Sequence, residues 1–489
     1  MKKLPFLFFI LNFFISLQVY AQSFEYNERC RTAYQTLFKL KINEGNQLLF
    51  KEKQQNKENL MPYFLENYAD FLTLYISDDA TLYKRLLPKR EQRLDILAKG
   101  DPKSPFYLYT QANLHLQWAF IKVKFGDYFS SIWDVKKAYS LLKTNQKKFP
   151  DFEPNLKDLA LLNTLFGAIP DKYKFGAKLL GLKGDIEQGL KEFSSLFKDP
   201  NMLFREEATI MYTMLLLHLG KDNEGAWNTL THMNLSLGDN LLNYYIRATV
   251  AHYTGKNDEV IRILSARPGS DDYYPFPFLD YMIGNAKLNR LDTDADNYLK
   301  DFLKDYKGKD YIKETYRKLA WYWLINHRKD LYLAYIKLVA TKGSTSTDED
   351  KAAEKEALTK DVPQINLLKA RLLSDGGYYY NALKQLASTS IKNLNTQDKL
   401  EYYYRKARIL DDMGKPTEAV PLYIWTIEHA NNSSSYFAPN ACIKLGYYFE
   451  KMHNNNKATF YYKQALTYSN YEYKNSIDAQ AKAGLNRLK

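Results

Sequence analysis

The sequence predicts an all-α protein, a right-handed solenoid of antiparallel helix hairpins with no sheet. Its 489 residues include 41 Tyr, which outnumber the 21 Gly and 16 Pro taken together. Because a β-sandwich or barrel needs turn residues about every 8–12 positions, this shortage of Gly and Pro favours long helices. Apolar residues also recur at the period of a helix along most of the chain, and small residues repeat at a fixed offset near the C-terminus.

The first 21 residues have the pattern of a secretory signal peptide. Two lysines precede an apolar stretch at residues 4–17, and Val19 and Ala21 place small residues before the expected cleavage point. We therefore expect cleavage after Ala21 and export to the periplasm or the extracellular space. The alternative is an uncleaved anchor, but residues 4–17 fall short of the roughly 20 apolar residues that span a bilayer. No longer apolar stretch follows, so no transmembrane segment is expected in the mature chain.

Residues 22–341 are predicted to form an irregular array of helix hairpins. One candidate unit turns at Gly126, and Trp118 and Trp133 are expected to pack inside it. A degenerate unit covers residues 278–306. The sequence therefore predicts the class of structure in this part, whereas the exact repeat frame stays open.

A polar segment separates this array from a regular C-terminal part. Residues 342–360 begin with Lys-Gly-Ser-Thr-Ser-Thr-Asp-Glu-Asp, a composition typical of an exposed loop. We therefore interpret residues 342–360 as a flexible loop and connector, and residues 361–489 as the regular repeats.

The regular repeats are recognised by residue pairs at a constant spacing. Three pairs are related by an offset of 39 positions: Ala407 and Gly446, Ala419 and Ala458, and Tyr423 and Tyr462. The small residues let the two helices of a hairpin approach, and the aromatic residue fills the space between one hairpin and the next. This spacing predicts hairpins stacked in series.

These positions resemble the tetratricopeptide repeat (TPR), a helix–turn–helix unit of about 34 residues. That family has small residues at its eighth and twentieth positions and an aromatic residue at its twenty-fourth. The longer offset here implies lengthened helices or loops, and the family's terminal Pro has no close match. Together with the signal peptide, the pattern resembles an exported bacterial TPR protein. The resemblance implies a concave face, formed by the first helix of each unit, that captures a peptide segment or helix.

A second, local resemblance involves residues 165–190. Pro170, a leucine-rich helix and a Gly-x-x-Gly-Asp sequence ending at Asp185 are similar to a segment of the eukaryotic inclusion-body-clearance proteins, which also contain TPRs. This likeness implies a related solenoid and not a shared function.

The TPR frame gives a candidate binding surface on the C-terminal units. Tyr and Arg are frequent interface anchors, and five residues are predicted to face the groove: Arg371, Tyr404, Arg408, Asp411 and Tyr447. We expect the arginines and tyrosines among them to form a ladder on adjacent helices. This prediction depends on the frame, because a shift of one residue turns each side chain by about 100°.

The sequence offers no candidate catalytic residue, metal site or cofactor site. Its seven histidines lack His-Glu-x-x-His spacing. The Gly184-x4-Gly189 sequence lacks the Lys and Ser or Thr that a phosphate loop requires. Cys30 and Cys442 lie at opposite ends of the chain, so we expect two separate thiols. No enzymatic activity is predicted.

The net charge of +13 would permit binding to nucleic acid or to an anionic surface. The lysines are interspersed with Asp and Glu, however, and no run of five basic residues occurs. We therefore expect solvated helix faces and no nucleic-acid partner.

These observations favour a non-catalytic, exported scaffold or adaptor that binds a protein or peptide partner through the concave groove. The alternative is a glycan-binding module with exposed Tyr and Trp platforms, since triplets such as residues 402–404 contain consecutive tyrosines. Such a module would be similar to starch-binding outer-membrane proteins that use TPR helices. Those proteins are lipoproteins, and no cysteine occupies the cleavage point here.

Overall fold

The computed structural model describes residues 22–169, 171–233, 235–359, 361–430 and 433–488. The predicted signal peptide lies outside these residues. Within them the chain is 74% helical, with 25 helices and no strand, and two isolated bridges join Gln22 to Gly100 and Ser23 to Asn59. The prediction of an all-α array of antiparallel hairpins is confirmed.

The N-terminal part contains seven hairpins and one intervening short helix. They are α1 (Glu28–Phe38) with α2 (Ile42–Gln55), α3 (Met61–Ser77) with α4 (Ala80–Leu97), α5 (Pro105–Lys124) with α6 (Tyr128–Lys148), α7 (Glu153–Gly167) with α9 (Ile186–Ser195) after the short α8 (Asp171–Leu179), α10 (Arg205–Leu215) with α11 (Asn223–His232), α12 (Leu241–Tyr253) with α13 (Asn257–Ser265), and α14 (Phe278–Arg290) with α15 (Ala295–Asp305).

The C-terminal part contains four hairpins, an extra helix and a final single helix. They are α16 (Ile312–Ile325) with α17 (Lys329–Thr341), the extra α18 (Asp348–Thr359), α19 (Ile365–Asp375) with α20 (Tyr379–Ala387), α21 (Thr396–Asp412) with α22 (Pro416–Glu428), α23 (Phe437–Lys451) with α24 (Asn455–Ala465), and the final α25 (Lys474–Arg487).

The small and aromatic repeat positions pack as their spacing predicts. Ala407, Ala419 and Ala458 are buried, and so are Tyr423 and Tyr462. The Tyr462 ring lies between two glycines, one on α23 and one on α25, and a methyl group added at either would overlap it. The glycines at these positions therefore make room for the ring that joins three helices.

Hydrogen bonds between distant segments hold the N-terminal hairpins together. The Tyr34 hydroxyl on α1 donates to Glu207 Oε2 on α10 at 2.8 Å, and the Tyr274 backbone N–H donates to the Leu40 carbonyl at 2.8 Å. A single hydrophobic core accordingly extends from the N-terminal segment to α14. These contacts link hairpins that are far apart in the sequence.

Residues 348–359, which we expected in a flexible loop, form helix α18. The cause is Asp350, whose carboxylate is buried and accepts hydrogen bonds from the backbone N–H groups of Tyr311 at 2.8 Å and Glu314 at 3.0 Å. Asp350 thereby caps the N-terminus of α16 and anchors α18 to it. Asp350 is far from the start of α16 in the sequence, so local composition does not predict this contact.

Trp118 is buried, as expected, and its indole N–H donates to Asn67 Oδ1 at 2.9 Å. The prediction that Trp133 packs inside is wrong, because its side chain is 53% exposed. The neighbouring Asp134 is buried instead, where Lys122 Nζ lies 2.7 Å from Oδ2 and His115 Nδ1 lies 2.7 Å from Oδ1. With Asp134 turned inward, Trp133 faces solvent.

The two thiols are separate, as predicted. Cys30 and Cys442 are both buried and unpaired. Burial raises the pKa of each thiol to about 12, so both are protonated and unreactive near neutral pH.

Candidate functional site

The candidate site is the face shared by α16, α19, α21 and α23, which we call the C-terminal groove after the concave surface predicted from the sequence. These are the first helices of successive hairpins. Consecutive members contact each other, α16 with α19, α19 with α21, and α21 with α23. Four of the five predicted site residues lie on α19 and α21, and Tyr447 lies on α23.

Arg371 lies over the indole ring of Trp321 on α16. Its guanidinium carbon is 4.5 Å from the ring centroid, a cation–π distance. Its ion-pair partner Asp375 is 3.9 Å away, and the Arg371 side chain is 19% exposed. Among the described residues, no atom accepts a hydrogen bond from this guanidinium within 3.5 Å. Arg371 thus keeps five N–H donors for water or a ligand.

Tyr404 is completely buried. Its ring stacks on Phe437 with centroids 4.9 Å apart, and its hydroxyl donates to Asn440 Oδ1 at 3.0 Å. Arg408 Nη1 donates to the same hydroxyl at 3.5 Å. The structure therefore brings Tyr404 and Arg408 together, but Tyr404 presents no ring surface to a partner.

Arg408 and Asp411 are partly exposed and face ionic neighbours. Arg408 Nη2 donates to Asp412 Oδ2 at 3.4 Å, and Lys444 Nζ lies 3.4 Å from Asp411 Oδ2. Asp411 also accepts a hydrogen bond from Tyr423 at 3.2 Å. These charges are thus compensated within the groove through hydrogen bonds and ion pairs, whereas Arg371 has an ion-pair partner but no hydrogen-bond acceptor among the described residues.

Tyr447 lies apart from the other four residues. Its ring packs edge-on against Tyr462, with centroids 5.8 Å apart, and the Arg487 guanidinium lies 5.4 Å from its centroid. Arg487 is on α25, so Tyr447 belongs to the packing of the last helix. The expected ladder is therefore reduced to the Tyr404–Arg408 contact.

Sequence reasoning missed Trp321, which is buried beneath this surface. Three cations surround its ring, with Arg317 at 4.6 Å, Arg371 at 4.5 Å and Lys318 at 5.5 Å from the centroid. The available signal was the aromatic triplet at residues 321–323, but the sequence does not show that α16 and α19 are neighbours.

Acidic groups balance part of this positive charge. Glu314 forms ion pairs with Arg317 and, at 3.0 Å, with Lys318. Burial disfavours ionisation of Glu314, but these two cations outweigh it and lower the pKa of the carboxyl group. Arg317 is buried and paired with Glu314, whereas the more exposed Arg371 makes no hydrogen bond to a described residue.

Helix α18 packs against α16 and also contacts two segments near the C-terminus. Glu356 Oε1 accepts from the Trp321 indole N–H at 2.7 Å. Lys355 Nζ donates to the Ser434 carbonyl at 3.1 Å and pairs with Glu472 at 3.2 Å. Helix α18 therefore bridges α16 to the segments that precede α23 and α25.

Several clefts lie in the N-terminal part, among them one of about 390 Å³ lined by residues of α6, α7 and α9. Of two larger ones, the first, about 800 Å³, is lined mainly by the 267–277 segment together with Asp79, Asp305 and Tyr306. The second, about 540 Å³, is lined by residues that include Tyr26, Tyr34 and Phe204. The first cleft is lined by several carboxylates, among them Asp280, which pairs with Arg267.

A buried charge cluster lies beneath the second cleft. Lys157 Nζ is 2.8 Å from both Asp158 Oδ1 and Glu207 Oε1, and the Lys157 side chain is fully buried. Asn113 donates to Asp158 Oδ2 at 2.7 Å. Because it joins α5, α7 and α10 and has no access to solvent at its lysine, this cluster has a structural role.

Within the residues that the structure describes, no group of three or more His, Cys, Asp or Glu side chains is placed to hold a metal ion. No helix in those ranges is long and apolar enough to cross a membrane.

Known proteins give distant likenesses to this chain. No protein-family model and no curated sequence matches it. The crystal structure of the P58(IPK) TPR domain is similar over 83% of this chain and 96% of that chain, at 15% identity and a TM-score of 0.22. For the APC/C hetero-tetramer Cut9-Hcn1 the coverage is 93% and 95%, the identity 12% and the TM-score 0.26. The crystal structure of yeast Tom70 is similar over 94% of this chain and 95% of that chain, at 14% identity and a TM-score of 0.24. Such values are too low to assign a family or a function to this chain.

Proposed function

We propose that this chain is a non-catalytic, exported scaffold that binds a protein or peptide partner in the C-terminal groove. The observation that carries the proposal is the pairing of Arg371 with Trp321. The Trp321 ring is buried and holds the guanidinium in place, and the free donors of that guanidinium form the anchor for a peptide carbonyl or carboxylate. Arg408 and Asp411 extend the polar surface along α21.

The charge balance of the groove supports a segment with acidic or carbonyl groups near Arg371. Glu356 of α18 already supplies one carboxylate to the Trp321 indole N–H at 2.7 Å. A partner segment would place a second acceptor within reach of the free donors of Arg371.

Glycan binding receives less support from the arrangement of the tyrosines. Tyr402 and Tyr404 are both buried, and the Tyr403 ring packs on Trp425 with centroids 3.8 Å apart. This triplet therefore covers the helix pair and offers no open platform.

The experiment is a selection of binding peptides from a displayed random library on the purified mature chain. Affinities of the selected peptide are then measured for the wild type, Arg371→Ala and Arg408→Ala. The matched control is Arg262→Ala, which removes an exposed arginine of α13 paired only with its neighbour Glu259.

We expect Arg371→Ala to weaken binding about tenfold or more, because truncating a central Arg anchor costs roughly 2 kcal/mol. Arg408→Ala should weaken binding less, and Arg262→Ala should bind as the wild type does. Failure to select any peptide, or equal affinities for all four proteins, would contradict the proposal.

Export is part of the proposal and has its own test. Expression of the full chain with its native N-terminus in a Gram-negative host, followed by fractionation and N-terminal sequencing, should give a periplasmic product that begins at Gln22. A cytoplasmic product that retains residues 1–21 would overturn this part.

A further inference from the structure

The first two turns of α6 expose an unusually large apolar surface. Phe129 is 76% exposed and Trp133 is 53% exposed, and Tyr128 and Ile132 beside them are also exposed. Residues 129, 132 and 133 share one face, since positions three and four apart are adjacent on a helix. Large contiguous apolar patches on a soluble protein mark an interaction site.

Helix α8 exposes a second apolar pair. Phe175 and Leu179 are 75% and 74% exposed and are four residues apart, on the same face of the helix. The sequence from 172 to 183, KYKFGAKLLGLK, contains four lysines and no acidic residue, and Asp171 and Asp185 flank it. An exposed helix of apolar and basic residues is the composition of a segment that lies in a membrane interface.

The two apolar surfaces lie at the same end of the hairpin stack. Asn145 near the end of α6 donates to Asn155 near the start of α7 at 3.3 Å. The Tyr139 ring near the middle of α6 and the Phe166 ring near the end of α7 have centroids 5.4 Å apart. Helix α7 therefore runs antiparallel to α6, and its C-terminal end, after which α8 begins, points toward the N-terminal end of α6.

We propose that the first two turns of α6 together with α8 form a docking surface for an anionic lipid bilayer. We call this surface the basic aromatic edge. Trp, Tyr and Phe partition into the headgroup region of a bilayer, and lysines beside them are attracted to anionic lipids. Lys136 Nζ lies 5.4 Å from the Trp133 ring centroid, and Lys178 and Lys183 are exposed.

Charge also favours an anionic bilayer over a second copy of the chain as the occupant of this surface. Two copies that met symmetrically on this edge would bring their lysine-rich segments together, and like charges placed opposite each other disfavour association. An anionic bilayer instead complements the lysines and takes up the aromatic rings. The edge lies on different helices from the C-terminal groove, so this proposal stands independently of the proposed function.

The experiment is co-sedimentation of the mature chain with phosphatidylcholine vesicles that contain or lack phosphatidylglycerol. Two variants remove the apolar contacts, Phe129→Ser/Trp133→Ser and Phe175→Ser/Leu179→Ser. A third, Lys178→Glu/Lys183→Glu, removes positive charge. The matched control, Tyr380→Ser, truncates a 79% exposed aromatic residue on α20. Because all these side chains are exposed, circular dichroism should show unchanged folding.

We expect the wild type to sediment with the phosphatidylglycerol vesicles, and less so at high salt. Each serine variant should lose about tenfold or more in apparent affinity, since two large apolar side chains no longer insert. The Lys-to-Glu variant should lose the preference for anionic vesicles, and Tyr380→Ser should bind normally.

Absence of vesicle binding by the wild type, or equal binding by all variants, would overturn the proposal. Sedimentation velocity without lipid tests whether a second copy of the chain covers this surface instead. That is the case if the wild type self-associates, if the serine variants are monomeric, and if neither the wild type nor the variants bind vesicles. The edge would then be an interface between copies, and the lipid proposal would be wrong.

Discussion

The indole N–H of Trp321 donates to Glu356 Oε1 at 2.7 Å. This bond joins α16 to α18, and Arg371 of α19 lies over the face of the same indole ring. The same indole therefore positions the extra helix through its N–H group and the proposed peptide anchor through its ring face.

Replacement of Trp321 by Phe should loosen α18. The substitution keeps an aromatic ring but removes the donor to Glu356, and a lost hydrogen bond to a charged group costs about 1.5–3 kcal/mol. We expect faster cleavage of the 342–360 segment in limited proteolysis. Trp323→Phe is the matched control, because the adjacent indole N–H has no hydrogen-bond partner. Equal cleavage of the two variants would contradict the assigned contact.

The lysine of the buried charge cluster should be essential for stability. Lys157→Ala leaves Asp158 and Glu207 buried without their shared cation, and breaking a buried ion pair costs about 3–5 kcal/mol. Urea denaturation followed by circular dichroism measures the change. The exposed Lys137→Ala on α6 should change stability by about 0.5 kcal/mol or less. A small effect at Lys157 would show that its charges are already solvated.

The glycine of α23 that faces Tyr462 should not tolerate a side chain. In Gly446→Ala the new methyl group overlaps the Tyr462 ring, and overpacking of this kind costs about 1–3 kcal/mol. Gly176→Ala on α8 is the control, because nothing lies within 4 Å of a methyl group there, and we expect it to be neutral or slightly stabilising. Thermal unfolding compares the two. Equal stability of both variants would refute the role given to Gly446.

Asp134 should make stability depend on pH in the acidic range. Burial raises the pKa of its carboxyl group, but hydrogen bonds from His115 and Lys122 and the charge of Arg90 outweigh this and lower the pKa overall. A lowered pKa in the folded state gives stabilisation that is complete above the ordinary value of about 3.9 and is lost as the pH falls through the folded-state pKa. Asp134→Asn should therefore destabilise the protein at neutral pH, and the difference from wild type should shrink below about pH 3.9. A difference that does not change with pH would contradict this assignment.

The sequence was sufficient for features that depend on short-range periodicity. The offset between Ala407 and Gly446 predicted hairpins correctly, because close helix approach requires a small residue at that position in each unit. The buried positions of Tyr423 and Tyr462 follow from the same local geometry.

Features that depend on contacts between distant segments could not be predicted in this way. The inward turn of Asp134, and with it the exposure of Trp133, depends on cations supplied by α4 and α5. The helical state of residues 348–359 depends on Asp350 reaching α16. Tyr404 is buried because Phe437 of the next hairpin covers it, and the repeat frame contains no such information.

The most direct test of the central claim is hydrogen–deuterium exchange of the mature chain with and without the selected peptide. If the C-terminal groove binds the partner, bound peptide should slow exchange in α19, in α21 and around residues 317–321, and leave α6 and α8 unchanged. Slower exchange confined to the N-terminal hairpins, with none in α19 or α21, would contradict the claim that Arg371 and Trp321 form the binding site.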